Sequence, residues 1–229
     1  MCPEKNIDRR HVLSFVRRRG RITPSQKKAL VDLWPVYGIE PDEPFNGEKL
    51  FGNLAPVTLE IGFGNGSSLA AAAQKNPQRN YVGIEVHEPG VGHLMSLLDK
   101  GGIENVRIFC RDAVEVVRDL TQDAALDRVN LFFPDPWPKK RHHKRRIVSP
   151  DFAELVSVKL RPGGCFHVAT DWDEYACHIT DTLEACKNFE PIDGKTFHQL
   201  KLADRSMTRF EKRGLLLGHP VWDMMYTRV

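Results

Sequence analysis

The sequence predicts an α/β fold on a doubly wound, mostly parallel sheet. Three observations carry that prediction. Short apolar runs alternate with helix-like stretches from residue 56 onward, these runs lack the polar alternation of half-exposed strands, and the first runs straight into a glycine-rich turn. Residues 57–62 form the first strand, and 67–73 follow with the composition of a helix start. Residues 81–86, 106–110 and 129–133 repeat the pattern, each set off by a helix-like segment. The turn Arg161-Pro162-Gly163-Gly164 leads into a fifth strand at 164–170, and 221–229 supplies a late strand, read as antiparallel.

A chain of 229 residues with 41% hydrophobic content can bury one sizeable core. Residues 1–53 show no sustained periodicity and hold the block Arg17-Arg18-Arg19-Gly20-Arg21, so they read as a basic, loosely packed arm on a domain spanning 54–229. The formal charge of +3 hides an asymmetry. Residues 1–34 and 137–147 each net +6, leaving the remainder at −9. An acidic body with two basic patches implies a polyanionic partner, and nucleic acid fits best. Five cysteines without a C-x-x-C pair indicate neither a disulfide framework nor a zinc knuckle, and no apolar run reaches the length of a membrane span, so a reducing cytoplasm is expected.

Open parallel sheets bind ligands outside the carboxyl ends of their strands, so acids at those ends should share a cleft. They are Glu60, Glu85, Asp112 and Asp135. Glu60 precedes Gly62, Gly64 and Gly66, whose spacing departs from the dinucleotide fingerprint because Ser67 stands where its last glycine would be. A carboxylate there would repel a pyrophosphate but suits the cationic methionyl ammonium of S-adenosylmethionine. Glu85 is placed to accept ribose hydroxyls, or to act as a helix N-terminal charge. Asp112 could meet an adenine edge, or cap the helix that follows.

The most informative stretch is Pro134-Asp135-Pro136-Trp137-Pro138, followed by Lys139, Lys140, Arg141, His142, His143, Lys144, Arg145 and Arg146. Three prolines forbid regular helix or interior strand, making a stiff loop that aims Asp135 from a strand end. The cations read as phosphate contacts, as do Arg17, Arg18, Arg19 and Arg21. Trp137 reads either as a base-stacking platform or as packing beneath the loop. His142 and His143 lack the further ligands of a zinc site, and no metal is expected.

With these features in order, the chain resembles the bacterial tRNA (guanine-N7)-methyltransferases over roughly residues 56–229. The most specific segments are Pro134 to Lys139 with the basic tail, Ala169-Thr170-Asp171, and Thr208-Arg209-Phe210-Glu211. The resemblance implies a Rossmann-like class I methyltransferase fold. It also implies S-adenosylmethionine as cofactor and methylation of a guanosine at position 46 in the tRNA variable loop. It assigns Glu60, Gly62, Glu85, Asp112 and Asp135 to the cofactor site, with Asp135 catalytic. It assigns Lys139, Asp171, Thr208, Arg209, Phe210 and Glu211 to the substrate. By their own residues, Asp171 could equally cap a helix and 208–211 could be an exposed turn. A methyltransferase acting on another RNA or on protein, and a non-catalytic RNA-binding module, remain as alternatives; monomer and homodimer are both open.

Overall fold

Strand β1 (Val57–Ile61) is buried along its whole length, as a strand covered by helices on both faces must be. It lies within a computed structural model that describes residues 21–40, 44–192, 211 and 220–229. Among these, β1 is joined by β2 (Asn80–Ile84), β3 (Val106–Phe109), β4 (Leu126–Phe132), β5 (Leu160–Thr170), β6 (Phe189–Pro191) and β7 (Trp222–Arg228). The seven strands make one sheet in the order β3-β2-β1-β4-β5-β7-β6. The first five pair in parallel, and β7 runs antiparallel between β5 and β6. The expected topology is therefore present, late antiparallel strand included. The sequence reading lacks the three-residue β6 and starts β5 too late, because β5 continues back through Gly163, which takes a positive φ of 76°.

Two apolar layers clothe the sheet. On one face α6 (Ala113–Asp119), α7 (Pro150–Lys159) and α8 (Asp173–Ala185) bury Val116, Phe152, Val156, Tyr175, Ile179 and Leu183. On the other, α4 (Ser67–Lys75) and α5 (Glu88–Gly101) bury Leu69, Ala73, Val91, Leu94, Met95 and Leu98. Local chemistry sets the helix ends. Ser149 caps α7 ahead of Pro150, and Gly102 closes α5 in the left-handed conformation.

The segment read as a loosely packed arm departs from that reading between Pro24 and Phe51. Helix α1 (Pro24–Asp32) starts with a reciprocal capping box between Thr23 and Gln26, and Ala29 is buried in the α4–α5 layer. After α2 (Trp34–Tyr37), Ile39 donates its N–H to the Ile108 carbonyl at 3.0 Å, covering the edge of β3. Phe45 is buried against Phe109, with ring centroids 5.5 Å apart, just ahead of α3 (Gly47–Phe51). The short pattern is weakly periodic because its burial is supplied by α5 and β3, not by neighbours in sequence. Arg17, Arg18 and Arg19 lie outside the described residues.

Gly92 shows how closely α1 docks. A Cβ there would lie 2.5 Å from the Gln26 carbonyl oxygen, a backbone atom that cannot swing aside. Alanine at a helix interior gains up to ~1 kcal/mol of propensity, but overpacking of this kind costs about 1–3 kcal/mol, so the clash wins. Gly92→Ala is expected to lower stability in urea titration and to speed amide exchange in α1 selectively; α1 exchange unchanged from wild type would show that the helix is not held by this contact.

Candidate active site

Strand register brings the predicted loops to one rim. Ile61 pairs with Ile84 on one side and Leu131 on the other, Ile84 pairs with Phe109, and Phe132 pairs with Ala169. The residues that follow each strand therefore emerge level with one another at the carboxyl edge. The chain order reverses between β1 and β4, which is where loops part and leave a crevice.

The glycine turn after β1 is built from left-handed backbone: φ is 70° at Gly62, 61° at Gly64 and 73° at Gly66. Only glycine adopts this cheaply. A Cβ at Gly62 or Gly64 would meet nothing within 4 Å, so open space lies over the turn. A Cβ at Gly90 of α5 would sit 2.0 Å from the Gly64 carbonyl oxygen, so a second glycine, absent from the sequence reading, lets the helix touch the turn.

The four acids are held differently. Glu85 bridges two loops: one oxygen accepts from the N–H groups of Val86 at 2.7 Å and His87 at 3.0 Å, and the other accepts from Gly64 N–H at 2.9 Å. A carboxylate offers about four lone-pair positions, so one is left for a ligand hydroxyl. Asp112 caps α6 through a single oxygen, accepting from Val114 at 2.8 Å and Glu115 at 3.1 Å, so its helix-cap reading holds while its second oxygen is uncommitted to the cap. Glu60 is buried at 5% exposure and opens on a cleft of about 190 Å³ beside α4, lined also by Thr58, Ser68, Arg128, Asn130 and Phe132. None of Glu85, Asp112 and Asp135 lines that cleft.

Asp135 is exposed and makes no hydrogen bond among the described residues. Its loop is strained at both ends, with φ 53° at Phe133 and 47° at Trp137. Non-glycine residues held this way cost about 1–3 kcal/mol each and persist only where surroundings over-determine them. Phe133 N–H donates to the Ala169 carbonyl at 2.7 Å, tying the near end to β5. At the far end Trp137 packs within its own loop, edge-on to His142 at 5.9 Å and beneath the Arg145 guanidinium at 5.0 Å. The packing reading of Trp137 is therefore the one realised. Desolvation and the surrounding Arg141, Arg145, Lys139 and Lys144 hold His142 below the ordinary histidine range.

Arg146 corrects the phosphate assignment. Its side chain is 2% exposed. It donates from Nε to the Pro136 carbonyl at 3.0 Å, forks onto the Glu174 carboxylate at 3.2 and 2.8 Å, and donates to His143 Nε2 at 3.2 Å. The guanidinium also lies 4.9 Å from the Tyr175 ring centroid. With four of its five N–H donors engaged and its side chain buried, the fork is turned inward and is not displayed to a backbone phosphate. Lys139, Lys140, Arg141 and Lys144 do remain exposed, in and beside the 3-10 turn Lys140–Arg145, and Arg21 is exposed as well. Glu174 was not legible as a site residue, since nothing local marks it. Its hydrogen bond from Arg146 holds its carboxyl below the usual range, so this pair contributes above that range and loses its contribution as pH falls through the depressed value.

Asp171 directly follows β5 and does not cap α8, whose N-cap is Trp172 without a side-chain bond. Removal of the capping explanation leaves a half-buried carboxylate at the rim. Glu211 is buried at 3% exposure, against the exposed-turn reading, while Thr208, Arg209 and Phe210 lie outside the described residues. A separate polar relay crosses the sheet: Arg128 donates to His167 Nδ1 at 2.8 Å, which leaves the His167 Nε2 hydrogen to bond Asp223 at 2.8 Å.

A family model described as "Putative methyltransferase" matches residues 54–224. The tRNA (guanine-N(7)-)-methyltransferase of Methylococcus capsulatus is 51% identical, the match covering 96% of this chain and 95% of that protein. The corresponding protein of Cronobacter sakazakii is 52% identical over 96% and 92%. Among solved structures, the 16S rRNA methyltransferase KamB aligns with a TM-score of 0.61 at 17% identity, covering 84% of this chain and 98% of that one, a likeness of fold alone. With half its residues shared across nearly its whole length, the chain belongs to the tRNA (guanine-N7)-methyltransferase family.

Proposed function

We propose that this protein methylates N7 of a guanosine in tRNA, at position 46 of the variable loop, and that Asp135 is the residue that acts at the reacting base. The reading rests above all on one observation: Asp135 is an exposed carboxylate, without a hydrogen bond among the described residues, on a strained loop at the same rim as the glycine turn. Exposed cations stand beside it, as a polyanionic substrate requires. Digestion of unmodified tRNA transcript after incubation with the enzyme and labelled cofactor tests the reaction, with 7-methylguanosine the expected labelled nucleoside; any other labelled nucleoside would overturn the assignment.

The residues at the rim fit S-adenosylmethionine, which when bound supplies an electrophilic sulfonium methyl group. Glu60 is a buried acid suited to an ammonium, Glu85 keeps a lone pair for a ribose hydroxyl, and Asp112 keeps an oxygen for an adenine amine. Open space over Gly62 and Gly64 lets a ligand approach the backbone. Guanine N7 carries a lone pair and no proton, so no base is needed to make it nucleophilic. The chain's task is orientation and charge. Asp135 offsets the positive charge that grows on the purine, while Asp171 accepts from guanine N–H groups and so selects guanine. Lys139 and the segment Thr208 to Glu211 complete the substrate side.

Two substitutions check these roles. Glu85→Gln replaces an acceptor with an amide whose N–H group cannot pair with backbone donors. Hydrogen bonds to charged groups are worth about 1.5–3 kcal/mol, so calorimetry should show cofactor affinity falling roughly 10- to 100-fold; unchanged affinity would remove Glu85 from the site. Asp135→Asn should lower the single-turnover rate at saturating tRNA and cofactor on the order of 10²-fold, with cofactor binding retained. A rate equal to wild type would take Asp135 out of the chemistry.

A further inference from the structure

The basic run after the Asp135 loop is not a uniform cationic patch, and the buried member of it has a different job. Arg146 offers five N–H donors in a rigid fork. Three kinds of acceptor surround it: the Pro136 carbonyl, both oxygens of Glu174, and His143 Nε2. Pro136 directly follows Asp135. Glu174 belongs to the first turn of α8, shortly after Asp171. One guanidinium therefore joins the loop from β4 to the loop from β5, and with them the two carboxylates assigned to the guanine. Tyr175 forms the floor beneath it. Burial pushes the Tyr175 hydroxyl far above its ordinary range, and the Asp135 carboxylate adds to the rise.

The loop needs such a tie. Phe133 and Trp137 hold left-handed backbone on either side of Asp135, a conformation that must be imposed from outside. The near end is imposed by the Ala169 carbonyl. At the far end, Arg146, just past the 3-10 turn, holds the Pro-Asp-Pro backbone through the Pro136 carbonyl. We infer that Arg146 is a positioning residue for methyl transfer, which, with Glu174, fixes the Asp135 loop against the start of α8 and so sets the distance between Asp135 and Asp171. It rests on the assignment of Asp135 to the transfer step.

The test compares Arg146→Gln, Arg146→Lys, Glu174→Gln, Asp135→Asn and the double variant of Arg146→Gln with Asp135→Asn. Each is measured for single-turnover rate at saturating tRNA and cofactor, tRNA affinity, and the slope of that affinity with salt. A misplacement of about 1 Å can cost 10²-fold in rate, so Arg146→Gln should lose about that factor while tRNA affinity and salt slope stay as in wild type. Lysine should not rescue it, because a point charge cannot reproduce the fork. Glu174→Gln should lower the rate in the same direction by a smaller factor, about 5- to 30-fold. In the double variant the two losses should fail to multiply.

A phosphate-binding Arg146 predicts the opposite pattern. Arg146→Gln would then weaken tRNA binding and flatten the salt slope by somewhat less than one, leaving the saturated rate intact, and Glu174→Gln would free a cation and tighten tRNA; either result overturns the inference. If Arg146→Gln does not fold, the half-exposed Glu174 decides alone: a wild-type rate in Glu174→Gln sinks the proposal. A silent Asp135→Asn would instead fail the Asp135 assignment itself, whereas an impaired Asp135→Asn beside wild-type rates in both clamp variants fails only the clamp.

Discussion

The register of β1 between β2 and β4 is the constraint on which the rest of the site depends. Parallel strands joined by crossovers direct all their carboxyl ends the same way, and at β1 the winding of the chain reverses. Ile61 level with Ile84 and Leu131 places the glycine turn, Glu85 and the start of the Asp135 loop beside one another. A slip of one residue would exchange the faces of Leu59 and Glu60. Both are nearly inaccessible, Leu59 at 0% and Glu60 at 5%, so packing on the two faces specifies the register from both sides.

From that frame the acids of the rim divide by how far they are satisfied. Glu85 is locked by three backbone N–H groups and Asp112 by two, which makes them rigid parts of the scaffold as well as ligand acceptors. Asp135 has no internal partner among the described residues, and its position comes from the backbone around it. Rigidity is thus delivered to Asp135 indirectly, through prolines, left-handed residues and a buried guanidinium. The pairing with Glu174 is asymmetric: Arg146 is buried while the carboxylate stays 56% exposed. Burying a lone cation is costly, and the Tyr175 ring together with four acceptors offsets that cost.

Much of this was readable in the residues. Continuous apolar runs announced the parallel strands, because helices on both faces leave no polar side. The three prolines announced an irregular loop, and the run of cations a polyanion surface. The helices between Pro24 and Phe51 were not readable, since Ala29 and Phe45 are buried by α5 and Phe109 and not by any periodic face of their own segment. Local sequence also left two roles open at Asp171, a helix cap or a contact to the substrate, and the N-cap of α8 falls instead on Trp172. A carboxylate before a helix is only a candidate cap, because the residue at which the helix begins is set by the backbone.

By itself the sequence determined the parallel α/β frame, the glycine turn and the stiff acidic loop, because strand burial, left-handed backbone and proline geometry are imposed by residues on themselves and their neighbours. Only the tertiary structure decided which cations face solvent. Arg146 and Glu174 lie 28 residues apart, and Arg145 turns onto Trp137. A row of like charges has no local feature to tell a buried fork from a solvated one, so that choice is made where β4, the basic turn and α8 come together.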